Sequence, residues 1–252
     1  MQSVQTEIVQ KGYSFIRHPN FEFVTHYENE FEVFRQSYHE MSRDKHLNAG
    51  EGDRFRRYAR MAIHRKTLQL FVYPHDTFFQ SKTYDVLYGN IHREFPAVTP
   101  AILQNAFFQT LLRENFKSFP VPPGADDLYE ISVHMIRIVA NKDHRFGRPA
   151  PEGVHQDGYH FVGIHLMDRQ NLEGAQNRIH DLNKRIIERQ TFFNPMDSCL
   201  FDDRKIFHSV QPFRTADPTQ DAYRDMLILL YQPITESPQR PAIPVALQDL
   251  PN

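Results

Sequence analysis

The stretch VHQDGYHFVGIHLM, residues 154–167, combines a strand pattern with two side chains that commonly bind metals. Its apolar residues, several of them β-branched, predict a strand that runs into a hydrophobic core. His155 and Asp157 stand two positions apart at its start, and side chains with that spacing on a strand point to the same face. We therefore expect an imidazole and a carboxylate side by side at the edge of an apolar core.

Short strand patterns follow one another through the second half of the chain, separated by polar or proline-containing turns. The candidates are residues 130–139, 177–182, 189–193, 198–203, 205–210 and 225–231. Strands this short and numerous indicate a mainly β fold with flanking α-helices, in the form of a sandwich or a jelly roll.

Two amphipathic helices are predicted in the first half of the chain. Apolar, mostly aromatic residues recur every three or four positions from Phe23 to Met41, which indicates a helix with a core-facing stripe. A second helix is predicted to begin with Thr99 as N-cap and Pro100 at the first helical position. We expect these N-terminal helices to pack on one sheet.

The length of 252 residues, 40% of them hydrophobic, suits a single domain with one sizeable core. We divide residues 1–252 into a helical part at about 1–128, a strand-rich core at about 129–233 and a proline-rich tail at 234–252. The tail is expected to cap the barrel or to make the contacts of a homodimer.

The charge pattern argues for a small-molecule partner. The formal net charge is −2 and no long run has one sign, so neither nucleic acid nor a membrane surface is expected as a partner. The single cysteine, Cys199, excludes an internal disulfide and fits a reducing compartment. The N-terminus lacks the apolar segment of a secretion signal, and no stretch is long enough to span a bilayer. We expect a cytoplasmic protein.

A third candidate metal ligand, His208, lies in the strand pattern of residues 205–210, and Arg224 follows at the start of another strand pattern. Two histidines and one carboxylate on one face of a metal make the facial triad of non-haem Fe(II) oxygenases. An arginine deeper in the barrel would offer a planar charged fork to a carboxylate. Each residue also has an alternative structural role. His155 and Asp157 can belong to a solvated turn, His208 can be a core histidine, and Arg224 can belong to an ion pair. Their combination in this order predicts a metal site.

Six segments of the second half carry a family resemblance: HMIR (134–137), HQD (155–157), FVGIHLM (161–167), EGAQNRI (173–179), KIFHSVQPF (205–213) and YRDMLIL (223–229). They resemble the bacterial Fe(II)/2-oxoglutarate-dependent dioxygenases that hydroxylate free L-amino acids, the isoleucine 4-hydroxylase type. Weaker similarity runs through RFRRYARM (54–61), FFQSKTY (78–84) and HREF (92–95). The resemblance covers most of the chain from about residue 50.

This resemblance implies a double-stranded β-helix, a cupin-like jelly roll, that uses Fe(II), 2-oxoglutarate and O₂. It implies His155, Asp157 and His208 as iron ligands and Arg224 as the partner of the distal carboxylate of 2-oxoglutarate. The implied reaction is hydroxylation of an unactivated C–H bond of a small substrate, most of all a free L-amino acid. The residues on the substrate side are the least similar, so the resemblance does not imply which substrate is used.

Arginines before the triad are candidates for binding a further carboxylate. Arg137 is the first choice for a carboxylate of the substrate or cosubstrate, and a surface ion pair is its alternative role. His134 and Arg137 differ in strand parity, so a regular strand points only one of them inward. Four further arginines form a cluster earlier in the chain. One of them can close over the substrate, and most are expected to be solvated. They are Arg54, Arg56, Arg57 and Arg60.

Three other functions fit the same triad, and the first is a dioxygenase that acts on a different substrate, such as a peptide, a small metabolite or a lipid-like acid. A zinc or other divalent-metal hydrolase on a jelly-roll scaffold also accepts two histidines and an aspartate, with an open position for an activated water. A non-catalytic sensor would use the barrel as a small-molecule pocket. Metal analysis separates the sensor from the enzymes, and dependence on 2-oxoglutarate separates a dioxygenase from a hydrolase.

Overall fold

Fifteen strands and four α-helices build the described part of the chain, which is residues 3–17, 25–47 and 53–249 of the computed structural model. The helices are α1 Val4–Lys11, α2 Glu28–Gln36, α3 Pro100–Leu103 and α4 Ala106–Ser118. The strands before residue 100 are β1 Tyr13–Ile16, β2 Asp53–His64, β3 Leu70–Val72, β4 Phe78–Phe79 and β5 His92–Arg93. The later strands are β6 Leu128–Ala140, β7 Phe161–Gln170, β8 Leu172–Gly174, β9 Gln176–His180, β10 Ile186–Thr191, β11 Ser198–Asp202, β12 Phe207–Val210, β13 Phe213–Thr215, β14 Ala222–Pro233 and β15 Val245–Ala246.

An eight-stranded antiparallel sheet crosses the molecule in the order β1-β11-β7-β14-β6-β2-β3-β15. A smaller sheet, β10-β9-β12, packs against it, and β13-β8 and β4-β5 form two short ladders. Both sheets contribute to one apolar cluster, in which Ile179 of β9 lies with Ile164, Phe201 and Leu230 of the large sheet. These facing sheets form the jelly roll, so the predicted fold class is confirmed.

Strand β14 divides its side chains between two layers because alternate residues point to opposite faces. Leu227, Leu229 and Tyr231 belong to the core cluster that also contains the apolar faces of α2 and α4. Met226 and Leu230 belong to the cluster on the opposite face of the sheet. The predicted packing of helices on one sheet is therefore confirmed, and the other face is left for a binding cavity.

The helix predicted after Thr99 ends after about one turn. Thr99 caps α3 by accepting a hydrogen bond from the backbone N–H of Ile102 at 3.4 Å, with Pro100 at the first position as predicted. Asn105 caps α4 in the same way, from the N–H of Phe108 at 3.0 Å. This second cap divides the helix in two. No helix within the described ranges is long and apolar enough to cross a bilayer.

The aromatic stripe predicted from Phe23 to Met41 is only partly a helix. Helix α2 ends at Gln36, and a short 3₁₀ turn covers residues 37–40. Phe34, Tyr38 and Met41 are buried as predicted, whereas Phe23 lies outside the described residues.

The helical character predicted for residues 1–128 is wrong for the middle of that range. Strand β2 spans twelve residues there and lies between β6 and β3 inside the large sheet. Its four arginines gave it a polar composition that concealed a buried strand. The tail also joins this sheet, because Val245 and Ala246 of β15 pair with Val72 and Phe71 of β3.

Candidate active site

The loop before β7, and not the strand itself, carries the first two residues of the predicted triad. The strand predicted over residues 154–167 begins only at Phe161. His155 is tied to His208 of β12 by an isolated antiparallel bridge. The N–H of His155 donates to the carbonyl of His208 at 3.0 Å, and the N–H of His208 donates back at 2.9 Å. Their rings therefore lie side by side, with centroids 4.2 Å apart.

Asp157 completes a triad whose ligand atoms all lie within 4.8 Å of one another. Its Oδ1 lies 3.7 Å from Nε2 of His155, and its Oδ2 lies 3.5 Å from Nε2 of His208. Nδ1 of His155 donates to the carbonyl of Gly153 at 3.0 Å, which leaves Nε2 available to a metal. The structure thus brings the three predicted ligands together.

Asp203 lies behind His208 and was not indicated by any sequence motif. Its Oδ1 is 4.0 Å from Nδ1 of His208, and neither atom has a hydrogen-bond partner among the described residues. Its Oδ2 accepts from the N–H of Gly158 at 2.8 Å. A carboxylate in this position can fix the tautomer and orientation of a metal-binding imidazole.

The electrostatics of the triad suit a divalent cation. Burial lowers the pKa of His208 well below its usual value, so this imidazole is neutral. Burial raises the pKa of Asp157, because its carboxylate is poorly compensated. Burial also acts to lower the pKa of His155, but the Glu152 and Asp157 carboxylates outweigh it and raise that pKa. A divalent cation would compensate the carboxylates and use the imidazole lone pairs, so this donor set fits Fe(II).

A cavity of about 130 Å³ opens beside the triad. Strands β6 and β14 supply an apolar wall that includes Ile136, Ile138 and Met226. Residues of β2, of the segment 78–93 and of the loop at 149–157 complete the lining with charged, polar and aromatic side chains. The cavity therefore offers both apolar and charged side chains to one small ligand.

Arg224 of β14 lines the same cavity, as predicted from its position in the sequence. It is 4% exposed and donates to the neutral Oδ1 of Asn177 at 3.0 Å, and no carboxylate of the described residues forms an ion pair with it. Burial lowers its pKa to about 9, with a further contribution from the charge of Arg169. A buried guanidinium without a counter-ion is costly, and a bound carboxylate would relieve that cost. The placement fits the distal carboxylate of 2-oxoglutarate.

Arg137 lies on the opposite face of the sheet, away from the cavity. Its Nε and Nη2 each donate to Asp225 at 2.7 Å, and its guanidinium stacks 4.3 Å above the ring of Tyr223. A further hydrogen bond joins Arg137 and His39 at 2.9 Å. The prediction that Arg137 binds a carboxylate of the substrate or cosubstrate does not fit this placement. Its side chain serves a structural ion pair, and of His134 and Arg137 it is His134 that faces the cavity.

The four arginines of β2 are all buried, so the expectation that most of them are solvated is wrong. Arg54 and Arg56 line the cavity. Arg57 donates to a backbone carbonyl, and Arg60 forms an ion pair with Glu130 at 2.6 Å. The strand can bury so much charge because each guanidinium meets a cavity, a carbonyl or a carboxylate.

Two cavity residues were not among the predicted site residues. Gln80, in the segment 78–93, donates to the backbone carbonyl of Asp157 at 2.8 Å. Glu152 lies with its Oε1 3.1 Å from Nε2 of His155. Gln80 lies in the segment FFQSKTY, which carries part of the weaker family similarity, but its contact with Asp157 depends on how two distant loops meet.

A jelly roll with two histidines and an aspartate at the edge of a cavity, and a buried arginine inside it, has the features of a non-haem iron oxygenase. The family model described as 2OG-Fe dioxygenase matches residues 35–230. The chain belongs to this family, whose members are oxidoreductases that use Fe(II), 2-oxoglutarate and O₂. The family predicted from the sequence motifs is confirmed.

Two related enzymes and one crystal structure support the same assignment. The chain is 29% identical to L-isoleucine-4-hydroxylase of Bacillus thuringiensis over 159 residues, 61% of this chain and 64% of that protein. It is 23% identical to 3(1)-hydroxy-L-isoleucine 4-dioxygenase of Pantoea ananatis over 256 residues, 97% of this chain and all of that protein. The crystal structure of a bsmA homolog from Methylobium petroleophilum PM1 is similar with a TM-score of 0.80 and 26% identity, over 95% of this chain and 94% of that one.

Proposed function

We propose that this protein uses Fe(II), 2-oxoglutarate and O₂ to hydroxylate an unactivated C–H bond of a free L-amino acid. The observation that carries the proposal is that the triad and Arg224, a buried cation with no counter-ion among the described residues, line one cavity. A metal hydrolase would need the triad and a water, but it has no use for such an arginine. A sensor would have no use for three intact metal ligands.

Each part of the cavity has a role in this reaction. The triad would hold Fe(II), and Arg224 with Asn177 would hold the distal end of 2-oxoglutarate and so orient it. Bound Fe(II), 2-oxoglutarate and O₂ supply the oxidising power for the C–H bond. Ile136 and Met226 would pack on the aliphatic part of the substrate and keep water away from it.

A free amino acid is supported as the substrate class by two observations. The cavity is small and is lined by both apolar and charged side chains, which suits an aliphatic side chain joined to charged groups. The two named relatives are called hydroxylases or dioxygenases of isoleucine and hydroxyisoleucine.

The test is succinate formation by the purified protein with Fe(II), ascorbate and 2-oxoglutarate, with and without a pool of the proteinogenic amino acids. We expect succinate to rise with the pool and one amino acid to gain one oxygen atom by mass spectrometry. Slow succinate release that the pool does not change would contradict the amino-acid substrate but not the dioxygenase. No succinate from protein shown to contain Fe(II) would contradict both.

We also propose that the protein acts in the cytoplasm. Cys199 is a buried free thiol, which fits a reducing compartment. Fractionation of the source cells should place the protein and its succinate-forming activity in the cytosolic fraction, and recovery from an extracellular fraction would contradict this location.

A further inference from the structure

Arg56 is a cation of the cavity that has no counter-ion among the described residues. It lies on β2, is 7% exposed and lines the cavity together with the triad. Its Nη2 is 2.9 Å from Nδ1 of His134, and its Nε has no hydrogen-bond partner in the described part of the chain. A guanidinium in this state favours an anionic ligand.

The orientation of Arg56 is fixed by aromatic rings. Its guanidinium lies 4.1 Å from the ring centroid of Phe95. Nε2 of His134 is 3.2 Å from the hydroxyl of Ser132, so Nδ1 of His134 accepts the hydrogen bond from Arg56. Burial and the charges of Arg56 and Arg93 keep the pKa of His134 well below its usual value, so the ring is neutral and does not compensate the cation. Arg56 is therefore a positioned binding group.

Glu152 is the complementary anion. Its Oε1 is 3.1 Å from Nε2 of His155, which is the nitrogen left for the metal because Nδ1 donates to Gly153. A metal bound to Nε2 of His155 would replace the contact between this nitrogen and Glu152. Within the described residues, Glu152 forms no ion pair with any lysine or arginine. Apart from the metal itself, a cationic group of the ligand in the cavity would then be the partner open to this carboxylate.

Most of the other charges of the cavity would have a counter-charge in the loaded enzyme. Arg93 is paired with Asp85 at 3.0 Å. The charges of Fe(II) and Arg224 would together balance Asp157 and the two carboxylates of 2-oxoglutarate. Arg54 has a neutral partner, a backbone carbonyl at 3.0 Å, and like Arg56 it has no counter-ion among the described residues. A ligand with one negative and one positive group would compensate Arg56 and Glu152 at the same time.

We propose that Arg56 binds the α-carboxylate of the substrate and Glu152 binds its α-ammonium group, so that the cavity selects an amino acid by both of its charges. This inference rests on the proposed function and names the residues that would set its substrate class. Each contact is a charge-assisted hydrogen bond, and losing one should weaken binding by about 10- to 100-fold. The rest of the substrate would lie against Ile136 and Met226.

The experiment measures binding without turnover, by calorimetric titration of protein loaded with Mn(II) and 2-oxoglutarate. The probes are the amino acid oxidised in the pool assay, with L-isoleucine tried first, its carboxamide, and the same acid without its amino group. The variants are Arg56→Gln and Glu152→Gln. Arg57→Gln is the matched control, because Arg57 is a buried arginine of the same strand that does not line the cavity.

The wild type should bind the amino acid about 10- to 100-fold more tightly than either analogue. Arg56→Gln should lose the preference over the carboxamide and keep the preference over the analogue without the amino group. Glu152→Gln should show the reverse pattern, and Arg57→Gln should keep both preferences. Because Glu152 lies beside His155, the Mn(II) content and the affinity for 2-oxoglutarate are measured in every variant and should match the wild type.

Both preferences intact in Arg56→Gln and Glu152→Gln, with an amino acid hydroxylated by the wild type, would overturn the inference and leave the proposed function standing. If either variant loses both preferences, or binds 2-oxoglutarate more weakly than the wild type, the inference is also overturned. The side chain would then act on the metal site or on the fold. If the pool assay finds no amino acid oxidised, the proposed substrate class is wrong and this inference falls with it.

Discussion

At the scale of single residues, the site is marked by charges that the described residues do not fully compensate. Arg224 and Asp157 are costly in the absence of ligands, and the cosubstrate and the metal would remove that cost. The triad and Arg224 could be predicted from the sequence because each lies in a recognisable motif. Arg137 could not be assigned correctly, because its partner Asp225 stands opposite it only when β6 and β14 pair.

Arg224→Gln should raise the KM for 2-oxoglutarate by about 10- to 100-fold, since a charge-assisted pair with the distal carboxylate is lost. Fe(II) affinity should not change, because Arg224 does not contact the triad. Steady-state succinate formation and a metal-binding titration measure the two quantities. Arg169→Gln is the control, since Arg169 carries a neighbouring charge but donates to backbone carbonyls. An unchanged KM in Arg224→Gln would place the cosubstrate carboxylate elsewhere.

Asp157→Asn should abolish Fe(II) binding and turnover and yet stabilise the metal-free protein. The variant removes a carboxylate that burial disfavours, and we expect a gain of about 1–3 kcal/mol in the free energy of unfolding at pH 7. Urea titrations with a chelator present measure the gain, and iron analysis measures the loss of binding. Full activity in Asp157→Asn would contradict the triad, and a less stable metal-free variant would contradict the electrostatic account.

At the scale of elements, β2 shows why a sequence pattern can conceal a strand. Its segment RFRRYARM has no apolar alternation, because one face of the strand borders a polar cavity and both faces carry arginines. The strands of the second half could be predicted because their inward faces meet apolar partners. The loop position of His155 and Asp157 could not be predicted, since it depends on the bridge between His155 and His208.

His165 links three elements and should make stability depend on pH. On β7, its Nε2 accepts from Nδ2 of Asn115 in α4 at 2.7 Å, and its Nδ1 donates to Ser198 of β11 at 2.7 Å. A proton on Nε2 would face an N–H donor, and burial lowers the pKa of His165 to about 3. In the unfolded chain this histidine has a pKa of about 6.5 and takes up a proton on acidification, whereas the folded protein does not. The free energy of unfolding should therefore fall by about 2 kcal/mol between pH 7 and pH 5 because of this residue.

Urea denaturation at pH 7, 6 and 5 measures this contribution. His165→Gln should be less stable than the wild type at pH 7, but its stability should fall less on acidification, by the same margin of about 2 kcal/mol. His92→Gln, at an exposed position, is the control for the loss of a histidine. Equal pH dependence in His165→Gln and the wild type would show that His165 is not the group that resists protonation.

At the scale of the whole molecule, the tail connects the far edge of the large sheet to the cavity wall. Oε1 of Gln239 accepts from the N–H of Phe79 at 3.1 Å, and Nε2 of Gln239 donates to the carbonyl of Phe79 at 2.8 Å. The adjacent Phe78 lines the cavity and packs against His134 with ring centroids 4.7 Å apart. The tail therefore braces the site, while a homodimer built on it stays a prediction that light scattering can test.

Gln239→Ala should loosen this wall without disturbing the metal site. Losing two hydrogen bonds at a buried side chain should cost about 1–3 kcal/mol of folding free energy. We expect the KM of the amino acid substrate to rise, while succinate formation without substrate stays at the wild-type rate. Gln220→Ala removes an exposed glutamine and serves as the control. A substrate KM equal to that of the wild type would show that the tail does not brace the cavity.

The backbone bridge between His155 and His208 makes two of the three metal ligands a preorganised chelate. Folding has already ordered both imidazoles, so of the three ligands only Asp157 has to adjust its position around an ion. Its loop is bounded by Gly153 and Gly158, which both have a φ of +82°. Such a site binds several first-row divalent ions, with affinities that follow the Irving–Williams order. Affinity alone would therefore favour copper, zinc or nickel over iron. The metal supply of the cell, more than the protein, would decide how much of this protein is active.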